Sequence, residues 1–93
     1  MQRFGSLEVG QKFYLPDKNG KVDLKASLRL QKLCPVNFSD GVNTIKTKVM
    51  KSVIENGNSF NATVLGGQEG KLNGYYAFVD NDKLVLLDME GSI

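Results

Sequence analysis

Lys21-Val22-Asp23-Leu24-Lys25-Ala26-Ser27-Leu28-Arg29-Leu30 is the stretch on which the fold turns. Val22, Leu24, Ala26, Leu28 and Leu30 alternate with Asp23, Lys25, Ser27 and Arg29. A period of two sends one set of side chains to the core face of a sheet and the other to water. The spacing therefore predicts a half-buried strand over 21–31. Pro35 is expected to limit its far end, because proline has no N–H to give a ladder.

Working outward, Pro16-Asp17-Lys18-Asn19-Gly20 holds the residues of a tight turn, and Gln11 to Leu15 before it reads as a strand. Phe4 and Leu7 are expected to tuck into the core from a short opening turn. Beyond the central stretch, a loop containing Ser39-Asp40-Gly41 leads to 44–54, which fits two patterns. Ile45, Val49, Met50, Val53 and Ile54 make a helical stripe that Gly57 could end. Thr44, Ile45, Thr47, Val49, Val53 and Ile54 are β-branched, and Asn56-Gly57 is a favoured hairpin turn, so a hairpin is preferred here. Phe60, Ala62 and Val64 alternate after it. Gly66 to Gly74 reads as a loop, Tyr75 to Val79 as a strand, Asp80-Asn81-Asp82 as a turn and Lys83 to Leu87 as the last strand, with a frayed tail beyond Glu90. The fold class that follows is all-β, over one domain spanning 1–93. It is expected to be a small antiparallel barrel or rolled sheet of about six strands, with room for one short helix.

Composition narrows the functional classes. The chain has 93 residues, 41% hydrophobic and 24% charged, which is ordinary for a single globular domain. Its apolar runs are too short to span a bilayer, and no apolar signal segment opens it, so a cytoplasmic, non-membrane protein is the expectation. Histidine is absent and Cys34 is the only cysteine. No Ser-His or Cys-His nucleophile pair, no histidine ligand and no disulfide within the chain can be built from that inventory. No catalytic residue, metal or cofactor is therefore assigned, and a non-enzyme is expected. Cys34 reads as a small buried thiol. Gly70-Lys71 fails the phosphate-loop pattern, because Leu72 follows the lysine and Leu65 stands where the first glycine belongs. Asp80-Asn81-Asp82 lacks the later ligands and the glycine of a calcium loop. Tyr14, Tyr75 and Tyr76 could stack on bases, but filling the core of a domain without tryptophan is the simpler role.

Charge is unevenly spread. Residues 1–51 hold ten Lys and Arg against four acidic residues, while 52–93 hold two against six. Lys21, Lys25 and Arg29 point away from the apolar set of the central stretch. Lys46 and Lys48 would share a face if 44–54 is a strand. These five, with Asn61 offering an amide from within the strand expected at 60–65, form the candidate ligand-binding set. It would suit a phosphate-bearing ligand, with Arg29 able to make a bidentate contact. The competing role is a lysine-rich face that keeps a sheet soluble. Opposite charges in the two halves, a small core and open strand edges also predict a homo-oligomer, most simply a dimer.

Phe4-x-x-Leu7-x-x-Gly10-x-x-Phe13 resembles the opening of many short proteins encoded by bacteriophages and cyanobacteria. Asn61-Ala62 is similar to a later Asn-Ala step in those proteins, and Phe78-Val79-Asp80-Asn81-Asp82-Lys83-Leu84-Val85 to their closing Phe-x-Asp-x-x-Val segment. The Lys21–Leu33 stretch and the Gly66–Gly74 loop depart from the pattern. The resemblance implies a phage-type accessory protein with a compact β fold, and it carries over no catalytic residue. Two functions are expected on this basis. One is capture of a small anionic, nucleotide-like ligand, as by an anti-defence protein. The alternative is an inhibitor or adaptor that binds a host protein or nucleic acid through a basic face.

Overall fold

The computed structural model describes residues 1–37 and 48–88. Six strands, β1 (Gln2–Arg3), β2 (Lys12–Tyr14), β3 (Arg29–Asn37), β4 (Ser59–Gly66), β5 (Tyr76–Ala77) and β6 (Leu84–Leu87), form one sheet in the order β1-β6-β2-β3-β4-β5. Every strand pair is antiparallel. One short helix, α1 (Lys51–Glu55), and two 3₁₀ turns, Phe4–Ser6 and Gln68–Gly70, complete the described elements. β5 and β6 stand four places apart, roughly 19 Å in a flat sheet, yet only residues 78–83 join them. The sheet is accordingly rolled around its core, and it is not closed into a barrel.

Core side chains line up across the ladder. Phe13 faces Leu30, and Leu30 faces Val64; all three are at most 1% exposed. Ala62 faces Ala77 one row along, where small side chains let the chain close in. Phe4 meets Phe13 edge to face, with ring centroids 5.2 Å apart. Phe4, Leu7 and Phe13 of the opening segment are all buried, and Gly10 between them adopts φ +97°, which a side chain would strain.

Lys32 follows Leu30 by two residues and so leaves β3 on the core side. Its amino group donates to the carbonyls of Leu7 (2.7 Å) and Phe4 (3.1 Å) and lies 4.7 Å from the centre of the Phe4 ring. A charge at the end of the core is thus held by backbone oxygens and an aromatic face.

Several expectations change. Residues 21–28 are not a strand: 24–27 form a turn, Leu24 is 68% exposed and Ala26 is exposed. Only Leu28 and Leu30 of the alternating set are buried. The cause is local. Asp23 Oδ1 accepts from the N–H of Lys25 and Ala26, Ser27 N donates to the Asp23 carbonyl, and Asp23 N donates to Ser27 Oγ. Short polar side chains satisfy the backbone there and displace the ladder.

Pro35 does not end β3 either. The strand runs through it to Asn37, and the register with β4 slips between Lys32 and Val36, so the proline sits in an irregularity where no ladder N–H is missed. Cys34 beside it is exposed, not buried.

The hairpin preferred for 44–54 gives way to α1 over 51–55; residues 44–47 lie outside the described residues, as do the Ser39-Asp40-Gly41 loop and the tail beyond Glu90. Asn58 N donates to the Val53 carbonyl at 2.9 Å, with Gly57 at φ +69° between them. This is the glycine-centred stop that ends helices, so Asn56-Gly57 closes α1 instead of turning a hairpin. The residues before α1 cover the outer edge of β5, where Met50 N donates to the Tyr76 carbonyl and Tyr76 N to the Lys48 carbonyl.

Candidate binding groove

A groove of about 650 Å³ lies between the β2–β3 connection and the β4–β5 connection. Leu15, Pro16, Val22, Ala26 and Leu28 supply its apolar lining. Asp17, Lys21, Asp23, Ser27 and Gln68 supply its polar groups. Its size lies within the range of ligand sites, and it is built on loops carried by a rigid sheet.

Each wall is fixed by its own hydrogen bonds. Asp17 Oδ1 accepts from the N–H of Asn19 (2.8 Å) and Lys21 (3.0 Å), and Asp17 N donates to the Lys21 carbonyl, closing the expected Pro16–Gly20 turn. Asp23 holds the 24–27 turn as described above. The opposite wall is locked onto the first: Gln68 N donates to the Ala26 carbonyl at 3.2 Å. A Cβ at Gly67 would lie 2.2 Å from the Ser27 carbonyl oxygen, so only glycine permits this approach.

The sequence-derived set disperses around this frame. Lys21 lines the groove, and Lys25 is exposed in the turn whose Ala26 and Ser27 form one wall. Arg29 opens β3, where its Nε donates to Asp88 Oδ2 at 2.6 Å; Asp88 is 6% exposed, so this ion pair is partly buried and directs Arg29 towards Asp88. Lys48 is exposed beside the far edge of β5. Three ladder spacings, roughly 14 Å, separate that segment from β3, so Lys48 does not join Arg29 in one cluster. Lys46 lies outside the described residues.

Asn61 is 5% exposed and its amide is committed: Nδ2 donates to the Val79 carbonyl (2.9 Å) and Oδ1 accepts from Val79 N (2.8 Å). The amide is thus turned onto the Val79 backbone at a buried position and not presented on the surface to read a base edge in the way expected. Tyr75 packs against the core, and the Tyr76 ring lies 4.4 Å from that of Phe60, so both serve packing.

Gln68 and the apolar lining are the groove residues that sequence reasoning missed. The signal available was the glycine-rich run Gly66-Gly67-Gln68-Glu69-Gly70, which read only as a connection. Among the described residues, no cluster of three or more His, Cys, Asp or Glu could hold a metal ion, and no helix is long and apolar enough to cross a membrane. Comparison with protein-family models, curated proteins and solved structures finds no match to this chain.

Proposed function

We propose that this chain is a non-enzymatic binding module that holds an extended peptide segment of a protein partner in the groove between residues 15–28 and Gln68. The observation that carries this reading is the groove's mixed lining on a fixed frame. Five of its ten lining residues are apolar, and Asp17 and Asp23 outnumber Lys21 at its charged positions. Apolar contact with a few placed polar groups is how a peptide is recognised, and a net acidic lining disfavours phosphate. Together with the resemblance of the opening segment to phage-encoded proteins, the reading makes the chain an accessory or anti-defence protein whose partner is a host protein.

Capture of a small anionic, nucleotide-like ligand is the second reading. In its favour, Lys18, Lys21 and Lys25 are exposed on one loop and make no ion pair among the described residues, while both aspartates of that loop cap turns. Selection of a random peptide display library on the protein, beside a nucleotide thermal-shift panel at low salt, separates the two. The peptide reading expects enriched peptides that bind the wild type and fail on Ala26→Glu, which places an exposed charge on the groove wall. Stabilisation by nucleotides alone, lost in Lys21→Glu, would replace it with the anion reading.

A further inference from the structure

The face of the sheet opposite the core has a charge pattern of its own. Phe13 and Leu30 point into the core, so their strand neighbours Lys12, Tyr14, Arg29 and Gln31 point outward. Tyr14 stands between Arg29 of β3 and Leu86 of β6, and Lys12 stands beside Gln31. Val85 also fills the core, which puts Leu84 on the outer face, and with it Arg3 opposite in β1. The Arg29–Asp88 ion pair links β3 to the end of β6 across β2 on this face. Arg3, Lys12 and Arg29 thus meet one acid, Asp88. Every other described acidic residue lies in a connection, in α1 or in a 3₁₀ turn. Helix α1 packs against β4 and β5, and Lys12, Tyr14 and Leu86 are left half-buried on β2 and β6. None of these residues lines the groove.

We infer that this outer face binds single-stranded nucleic acid, with Tyr14 stacking on a base and Lys12 and Arg3 meeting phosphates. The excess of cations selects a polyanion. The tyrosine selects one with unpaired bases, because a base stacked inside a duplex has no free face to offer a side chain on a sheet. Lys12 lies two residues along β2 from Tyr14, roughly 7 Å, so ring and ammonium can meet neighbouring parts of one strand. Arg29, drawn over β2 by Asp88, adds to the positive field beside the ring. Cations and ring recognise groups that every nucleotide has, so the face tolerates many sequences.

The test is fluorescence anisotropy of a short dye-labelled oligothymidylate titrated with the full chain. The wild type is expected to bind at low salt and to lose affinity as salt rises, with a log–log slope of about −1.4 for two phosphate contacts. The same strand annealed to oligoadenylate is expected to bind more weakly. Tyr14→Leu keeps apolar bulk and removes the ring; a loss of about tenfold is expected, whereas Tyr14→Phe keeps the ring and stays within about twofold of wild type. Lys12→Gln is expected to reduce the salt slope to about −0.7, a change that loss of packing alone would not produce. Lys71→Gln, at an exposed lysine in the β4–β5 connection, is expected to change neither affinity nor slope. Absence of binding by the wild type at low salt overturns the assignment. So does binding that either Tyr14→Leu or Lys12→Gln leaves at the wild-type level, or a duplex held as tightly as the single strand.

Discussion

Asn61 stands in for a strand. Its amide gives Val79 the donor and acceptor that a ladder neighbour would give, and Ser52 Oγ accepts from the N–H of Phe78 just before it. The backbone is thus satisfied without a continued ladder, β5 ends at Ala77, and residues 78–83 are released to cross to β6. Asn61→Leu would leave both Val79 groups unpaired in a dry site, at about 1–3 kcal/mol each. The expected loss is about 3 kcal/mol in urea unfolding; a loss below about 1 kcal/mol would mean that water replaces the amide. Lys32→Met keeps the apolar stem but removes the contacts to the Phe4 and Leu7 carbonyls and to the Phe4 ring. A drop of about 1–2 kcal/mol is expected, read by the same method. Asn61 is visible in the sequence as an asparagine in a strand, where turn chemistry cannot explain it. Its role is not visible, because the group it binds lies 18 residues away and nothing in the pattern around 61 names Val79. Arg29 presents the same difficulty: its partner Asp88 is 59 residues distant.

At the scale of elements, the 16–28 connection decides both the fold and the groove. Its alternation is real, but the Asp23 carboxylate accepts from the N–H of Lys25 and Ala26 while Ser27 bonds the Asp23 backbone through its own N–H and Oγ, and that local network outcompetes pairing. Leu28→Asp is expected to unfold the chain or cost several kcal/mol, since it buries a charge on the core face. Leu24→Asp is expected to change stability by less than about 0.5 kcal/mol, as an exposed substitution does. Equal effects would restore a strand through 22–30. The alternation was therefore legible as a sheet pattern only where it enters β3. β4 was legible from the alternation of Phe60, Ala62 and Val64, and β6 from the apolar run Leu84–Leu87. Helix α1 was obscured for the opposite reason. Its β-branched residues argue for a strand, and only the glycine stop at Gly57, together with burial of Val53 against exposure of Ile54, reveals a helical turn. The groove was half legible: Lys21 and Lys25 lie at it, but its Gln68 wall is brought in by the pinning of Gly67 onto Ser27, a contact across 40 residues of chain.

For the whole molecule, an unclosed sheet leaves two edges of different character. The β5 edge is covered in part by Lys48–Met50, whereas β1 is a two-residue strand with no further strand beyond it among the described residues. An open edge, a small core and opposite charge in the two halves of the chain favour association of copies. Light scattering after size exclusion at micromolar concentration is expected to give a dimer that weakens as salt rises; a strict monomer at low salt would contradict it. The groove lies at the loop end of β2 and β3, whose Phe13 and Leu30 are fully buried, so its frame should stay fixed when a ligand enters. The account as a whole rests on that groove being the ligand surface. Backbone amide shifts of the isotope-labelled protein, followed during titration with a peptide selected on it, test this most directly. The expected result is a set of changes confined to residues 15–28 and 67–70, absent in Ala26→Glu. Changes centred on Lys48 and the β5 edge, or spread over exposed lysines without regard to the groove, would contradict it.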